Sequence, residues 1–162
     1  MTDLSLLLAG KKGLVMGVAN ERSLAWGIAK SAATHGAELA FSYQGDALYK
    51  RVEPLAQSVG SDFLVPCDVT NNESIKDLFA IIDKRWGNLD FLVHAIAFSD
   101  KEELKGRYLD TSLENFQSTM NISCYSFTLL SRFAAPLMKE GGSLLTLTYS
   151  GSERVMPHYN VM

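Results

Sequence analysis

The fold is decided by residues 12–36, which have the sequence KGLVMGVANERSLAWGIAKSAATHG. The stretch from Lys12 to Val18 is a short apolar run with a glycine near its end, which is typical of a buried strand that leads into a tight turn. From Ser23 onward, apolar residues recur at helical spacing until Gly36. This segment therefore predicts a strand, a turn and a helix.

The same alternation continues along the rest of the chain. Further strands are predicted at residues 38–43, 62–67, 90–94 and 143–149, and further helices at residues 47–59, 75–86 and 113–138. Apolar strands that alternate with helices are typical of a parallel sheet, because right-handed crossovers place helices on both of its faces. We therefore predict one α/β domain over residues 1–162, built on a doubly wound Rossmann sheet.

Composition and charge exclude several classes of protein. The chain has 162 residues, of which 47% are hydrophobic and 20% charged, as expected for one globular domain. A formal net charge of -3 gives no general attraction to nucleic-acid phosphates. The apolar runs are far shorter than the roughly 20 residues that cross a bilayer. We expect neither a nucleic acid nor a membrane as partner, and the absence of basic residues before the leucines near the N-terminus predicts a cytoplasmic location.

The cysteines and histidines do not form a recognisable metal site. Cys67 and Cys124 are far apart, and neither belongs to a Cys-x-x-Cys pair, so we expect two reduced thiols in the core. The histidines have no partner at ligand spacing, and we expect no bound metal. His94 ends a predicted strand, where a hydrogen-bonded core histidine is the expected role.

The first turn between strand and helix has features of a phosphate site. Gly17 permits a tight turn, and the Ser23 hydroxyl can cap the helix or donate to a phosphate oxygen. Of the usual Gly-x-Gly-x-x-Gly pattern, only Gly17 and Gly27 are present. An ordinary turn with a serine cap would explain the same residues.

The ends of the second and third strands carry polar side chains. Gln44 stands where a dinucleotide site usually has an acidic residue, and its amide can bind a ribose hydroxyl. This neutral residue leaves the choice between NADH and NADPH open. Asp68 can accept from an adenine amino group beside the apolar Val69, although a helix-capping role would explain Asp68 equally well.

Three features follow the fourth strand. Small residues at positions 95–97 allow the backbone to approach a flat ring closely. The polar stretch 99–112 is longer than an ordinary connection and is predicted to cover a ligand. Tyr149 is predicted to end the fifth strand and Tyr159 to open the next helix, so that both phenols can face the cleft; packing roles remain an alternative.

Taken together, these segments resemble the bacterial enoyl-acyl-carrier-protein reductases, a divergent branch of the short-chain dehydrogenase/reductase superfamily. The resemblance is carried by GVAN at 17–20, AWGIA at 25–29, SYQ at 42–44, CDV at 67–69, HAIAF at 94–98, and Tyr149 with the segment YNVM at 159–162. These motifs occur in order over essentially the whole chain.

The resemblance implies reduction of trans-2-enoyl thioesters on acyl carrier protein during fatty-acid elongation, with hydride from NADH. It implies that Tyr159 donates a hydrogen bond to the thioester oxygen and that Tyr149 helps to orient the substrate. The cofactor contacts of the family fall on Gly17, Ser23, Leu24, Gln44, Asp68, Val69 and Ile96, and a substrate contact falls on Ser99.

The family also has features that this chain lacks. A lysine seven positions after the catalytic tyrosine binds the nicotinamide ribose in the family, and later elements supply the substrate lid and much of a tetramer interface. The chain stops at Met162, so we expect an incomplete sheet, a homotetrameric parent protein and little or no activity of this chain alone.

Two other functions are compatible with the fold. One is a short-chain reductase that acts on a carbonyl, which normally has serine in place of Tyr149 and Asn-Asn-Ala-Gly in place of residues 94–97. The other is a nucleotide-binding module without turnover.

Overall fold

Five short segments form one parallel sheet in the computed structural model, which describes residues 6–162. The strands are β1 (Lys12–Met16), β2 (Glu38–Tyr43), β3 (Leu64–Pro66), β4 (Phe91–His94) and β5 (Ser143–Thr146). Their order is β3-β2-β1-β4-β5, and every neighbouring pair is parallel. The predicted doubly wound Rossmann sheet is confirmed.

Helices connect the strands on both faces of the sheet. They are α1 (Leu24–Thr34), α2 (Gly45–Ser58), α3 (Asn72–Trp86), α4 (Leu113–Met120) and α5 (Ser126–Ala134). Helix α2 runs through Pro54 without a break. None of the helices in residues 6–162 combines the length and the apolarity that a bilayer crossing requires.

Alternate residues of the strands pack into two separate cores, as expected for a sheet that is covered on both faces. On one face, Val15 and Phe41 pack with residues of α1 and α2, including Trp26. On the other face, Leu14 and Leu92 pack with residues of α3 and α5.

One part of the sheet has no helix over it among the described residues. On the α1 face, β4 and β5 border an apolar cavity of about 830 Å³ whose walls include Ile28, Phe91 and Leu145. All four residues of β5 are exposed. This cavity is larger than the cleft described below, but it lies along a sheet face and not at the strand ends.

The prediction of a single long helix at residues 113–138 is wrong. The segment divides into α4, a π-helical turn at Asn121–Tyr125, α5 and a 3-10 turn at Ala135–Leu137. Pro136 explains the last division, because it has no N–H to continue the helix. The π turn carries one residue more than an α-helical turn, and apolar spacing does not reveal such an insertion.

Two further boundaries differ from the prediction. Strand β5 ends at Thr146, three residues before Tyr149. No helix begins at Tyr159 in the described residues, because residues 153–162 are irregular. The N-terminal segment on which the cytoplasmic prediction rests lies partly outside the described residues, because the description begins at residue 6.

His94 joins three elements at the end of β4. Its ring is almost fully buried, with Nδ1 3.0 Å from Thr146 Oγ1 on β5 and Nε2 2.8 Å from Ser126 Oγ on α5. Burial disfavours the charged ring and lowers the pKa of His94 below its usual value. These contacts agree with the role of a hydrogen-bonded core histidine.

The low pKa of His94 makes stability depend on pH. The unfolded chain binds a proton at a higher pH than the folded chain, so the stabilisation is complete above about pH 6.5 and declines as the pH falls below it. We expect the free energy of unfolding, measured with urea, to fall between about pH 7.5 and about pH 5.5. The fall should be smaller in His94→Gln, and an equal fall in both proteins would contradict the assignment.

Candidate active site

A cleft of about 390 Å³ lies at the carboxyl ends of four strands. It is lined by Gly17, Val18 and Ala19 after β1, Ser42, Tyr43 and Gln44 at β2, Leu48 of α2, residues 67–70 after β3, residues 95–98 after β4, and Ile122. Strands β2 and β3 are added on one side of β1, whereas β4 and β5 are added on its other side, so the order of strands reverses between β1 and β4. Doubly wound sheets bind ligands at this kind of position, because connections on either side of the reversal separate and leave a crevice.

Gly17 lies in the turn that follows β1, and it lines the cleft. Its φ of 93° lies in the left-handed region, and a Cβ built on it would come within 2.0 Å of the Ala95 carbonyl oxygen. The strand ends can therefore approach this closely only when residue 17 has no side chain.

The Ser23 hydroxyl organises the turn and does not cap the helix. Its Oγ accepts hydrogen bonds from the Ala19 and Asn20 amides at 3.0 and 3.1 Å, and makes no capping bond to α1. The serine-cap alternative is therefore wrong. Because the hydroxyl accepts both bonds, its proton is available to a further acceptor, and the amides at the start of α1 are left uncapped. Both features suit an anion such as a phosphate.

Asp68 presents a carboxylate at the opposite wall of the cleft. Its Oδ1 accepts from the Thr70 hydroxyl at 2.6 Å and from the Thr70 amide at 2.9 Å. These bonds, with a smaller contribution from Gln44, lower the pKa of the Asp68 carboxyl, which is thus ionised at neutral pH. Helix α3 is capped by Asn71, so the capping alternative for Asp68 is wrong.

Apolar and neutral groups complete the walls. Val69 and Ile96 line the cleft, and Gln44 lies at its rim with an exposed side chain. Burial raises the pKa of the Cys67 thiol to about 11, so this group remains protonated and is not a nucleophile. The prediction of a core thiol is confirmed for Cys67 but wrong for Cys124, which is exposed.

Besides Ser23, whose hydroxyl is held in the turn before α1, two predicted ligand contacts do not line the cleft, Leu24 and Ser99. The Leu24 side chain is exposed at the start of α1. The Ser99 side chain is buried, with its Oγ 2.9 Å from the Thr119 hydroxyl. Contact of Ser99 with a substrate would therefore come from its main chain, and both assignments stay predictions.

The two tyrosines lie side by side. The ring centroids of Tyr149 and Tyr159 are 5.5 Å apart, and the rings are inclined by 49°. Both side chains are partly exposed, at 39% and 46%, and neither lines the cleft of about 390 Å³. The Tyr149 hydroxyl donates to the Met162 carbonyl at 3.0 Å.

Glu103 joins the long connection after β4 to Ser112 at the start of α4, and Asn160 binds the same connection. The Glu103 carboxylate accepts from the Ser112 amide and hydroxyl at 2.9 and 2.7 Å. The Asn160 amide, next to Tyr159, donates to the carbonyls of Glu103 and Lys105 at 2.8 and 3.2 Å. These bonds attach the tyrosine segment to the connection that borders the cleft.

Sequence reasoning missed three polar residues that support the cleft. Asn115, Thr119 and Ser123 contact the segment after β4 and occur at intervals of four. Their spacing on one helix face is the signal that could have identified them.

Comparison with known proteins agrees with this geometry. A family profile described as "Enoyl-(Acyl carrier protein) reductase" matches residues 17–162. The chain belongs to the enoyl-acyl-carrier-protein reductase family. The resemblance described from the sequence motifs is confirmed.

Several members of the family are close in sequence. Enoyl-[acyl-carrier-protein] reductase [NADH] 2 of Rhizobium meliloti is 64% identical over 96% of this chain and 58% of its own length. The enzyme numbered 1 from the same organism is 59% identical over the whole chain and 60% of its own length. The chain therefore spans about 60% of the length of these reductases.

Solved reductase structures share the fold. The Anaplasma phagocytophilum reductase, crystallised with NAD, superposes with a TM-score of 0.95 and 57% identity over 98% of this chain and 60% of its own. The enzyme of Candidatus Liberibacter asiaticus gives a TM-score of 0.94 at 57% identity over 96% of this chain and 60% of its own. None of these relatives is named as a reductase of carbonyl groups.

Two glycine substitutions test the close approach of β1 and β4. Gly17→Ala should lower the free energy of unfolding by at least about 2 kcal/mol, because the methyl group meets the Ala95 carbonyl and φ is positive. Gly27→Ala, inside α1 with no described atom within 4 Å of the added Cβ, should raise it by about 0.5–1 kcal/mol. Urea unfolding measures both effects, and equal effects of the two alanines would disprove the argument.

Proposed function

We propose that this chain is the coenzyme-binding part of an enzyme that reduces trans-2-enoyl thioesters of acyl carrier protein with NADH. The observation that carries the proposal is the pair of tyrosine rings 5.5 Å apart, on a chain of this family with a cleft at the strand ends. The names of its relatives support the substrate and the coenzyme.

The cleft and the turn beside it, between β1 and α1, have the chemistry that NAD requires. The uncapped start of α1 and the free proton of Ser23 suit the pyrophosphate, while Gln44 suits a ribose hydroxyl. The ionised Asp68 can accept from the adenine amino group beside Val69. Ile96 and the small residues after β4 offer an apolar surface to a flat ring.

The tyrosines would act on the substrate. When bound, NADH supplies a hydride to the β-carbon of the enoyl thioester. Tyr159 donates a hydrogen bond to the thioester oxygen as negative charge develops there, which stabilises the transition state more than the ground state. Tyr149, whose ring contacts that of Tyr159, orients the substrate.

The activity should be measured on the product of the complete reading frame and, separately, on the 162-residue chain. NADH and a crotonyl thioester are mixed, and the loss of nicotinamide absorbance is followed. Oxidation of NADH by the complete product is the expected result, with little or none by the chain alone. Turnover of a 3-oxoacyl thioester instead, or coenzyme binding without any turnover, would refute the proposal.

Tyr159→Phe tests the role of the hydroxyl. Turnover should fall by about 100-fold or more, because the donor to the developing oxyanion is removed. The dissociation constant for NADH should change by less than about twofold. Tyr108→Phe, at an exposed phenol in the 3-10 turn Tyr108–Asp110, is the matched control. Unchanged turnover in Tyr159→Phe would remove this residue from the mechanism.

We also propose that the complete protein is a homotetramer. Leu109, Leu113, Phe116 and Met120 form an exposed apolar stripe along α4 and the turn before it. Water-exposed apolar stripes of this kind commonly mark contacts between subunits.

The assembly is tested by light scattering on the complete product. A tetramer is expected, and Phe116→Glu should reduce the assembled mass, because a buried charge would face the neighbouring subunit. Glu114→Lys, on the exposed polar part of α4, should leave the mass unchanged. A monomer at every concentration would exclude the assembly.

We propose the cytoplasm as the location and acyl carrier protein as the partner. Both cysteines are free, and the exposed Cys124 thiol suits a reducing compartment. The names of the relatives support the partner.

A further inference from the structure

The face of α4 that is directed inward is polar. Asn115 and Thr119 are 7% and 1% exposed, whereas the apolar Phe116 and Met120 of the same segment are exposed. Helices on a protein surface normally show the opposite pattern, with apolar side chains inside. The inward polar side chains therefore call for a specific role.

These side chains bind the main chain of the segment that follows β4. Asn115 Oδ1 accepts the Asp100 amide at 2.9 Å. Ser123 Oγ accepts the Phe98 amide at 3.0 Å and donates to the Phe98 carbonyl at 3.1 Å.

Thr119 completes the arrangement between them. Its hydroxyl donates to Ser99 Oγ at 2.9 Å, and the Asn115 side chain lies 3.3 Å from the same oxygen. Residues 98–100 are outside any strand or helix, so these side chains replace the backbone partners that regular structure would supply.

The π turn keeps the three side chains in line. Four residues of an α-helix rotate about 40° beyond a full revolution, so positions at intervals of four drift around the helix. The π turn at Asn121–Tyr125 uses more residues per revolution and limits this drift. Ser123 therefore stays on the same face as Thr119 and reaches Phe98.

The segment held in this way forms part of the cleft. Ile96, Ala97 and Phe98 line it, as does Ile122, the neighbour of Ser123. We infer that Asn115 and Ser123 are positioning residues that fix the main chain of residues 98–100 and so the wall of the cleft that would contact the coenzyme. The inference rests on the proposed function for its ligand, but the hydrogen bonds themselves can be tested without one.

The first test is amide hydrogen exchange in the 162-residue chain without ligand. Ser123→Ala should speed exchange of the Phe98 amide about fivefold, and Asn115→Leu should do the same for the Asp100 amide, because each loses its acceptor. Ser123→Thr keeps the hydroxyl and should restore slow exchange at Phe98. Gln117→Ala, at an exposed position of α4, is the control and should leave both amides unchanged. Unchanged exchange of Phe98 in Ser123→Ala would overturn the inference.

The second test uses the complete product. Ser123→Ala should raise the dissociation constant for NADH, followed by nicotinamide fluorescence, by about fivefold, and Ser123→Thr should restore it. A melting temperature lowered in Ser123→Ala with an unchanged dissociation constant would show a purely structural role and overturn the inference. If the wild type binds NADH but reduces no enoyl thioester, the proposed function fails, while the exchange and binding results still decide the role of Ser123.

Discussion

The close approach of the β1 and β4 ends is the constraint on which the candidate site depends. Gly17 lies so near the Ala95 carbonyl that no side chain fits between them. This contact occurs where the order of strands reverses, so it brings the turn before α1 and the segment after β4 to the same crevice. Phosphate-binding features on one side and a surface for a flat ring on the other can then face a single ligand.

The groups around this crevice differ in the contacts that hold them before a ligand binds. Ser23 and Asp68 already have partners, yet each can make a further hydrogen bond: the Ser23 hydroxyl still has its proton to donate, and the ionised Asp68 carboxylate can accept more bonds than those from Thr70. Binding groups that are held in place by their own neighbours lose little conformational entropy when a ligand arrives. The tyrosine pair is partly exposed, and its segment is bound through the Tyr149 bond to Met162 and the bonds of Asn160.

Much of the fold could be predicted from the sequence, because buried strands and amphipathic helices leave separate periodic patterns. The division of the helix at residues 113–138 could not be predicted, because a π turn shifts the positions of later side chains around the helix without changing the apolar composition. For the site, Gly17, Gln44, Asp68 and Val69 follow from their positions at strand ends, whereas Ile96 follows from the family resemblance, and all five line the cleft. The inward direction of the Ser99 side chain could not be predicted, because an irregular segment has no fixed alternation of side chains.

The order of the strands also affects how the chain can fold while it is being synthesised. Strands β1, β2 and β3 come first and are neighbours in the sheet, so they can pair as soon as residue 66 has left the ribosome. The other side of β1 stays without a partner until residues 91–94 emerge, and β4 in turn waits for residues 143–146. A nascent chain thus exposes an unpaired strand edge at least until residue 146 has emerged, and such edges invite association with other chains. A chaperone that shields this growing edge would protect the newly made protein from aggregation.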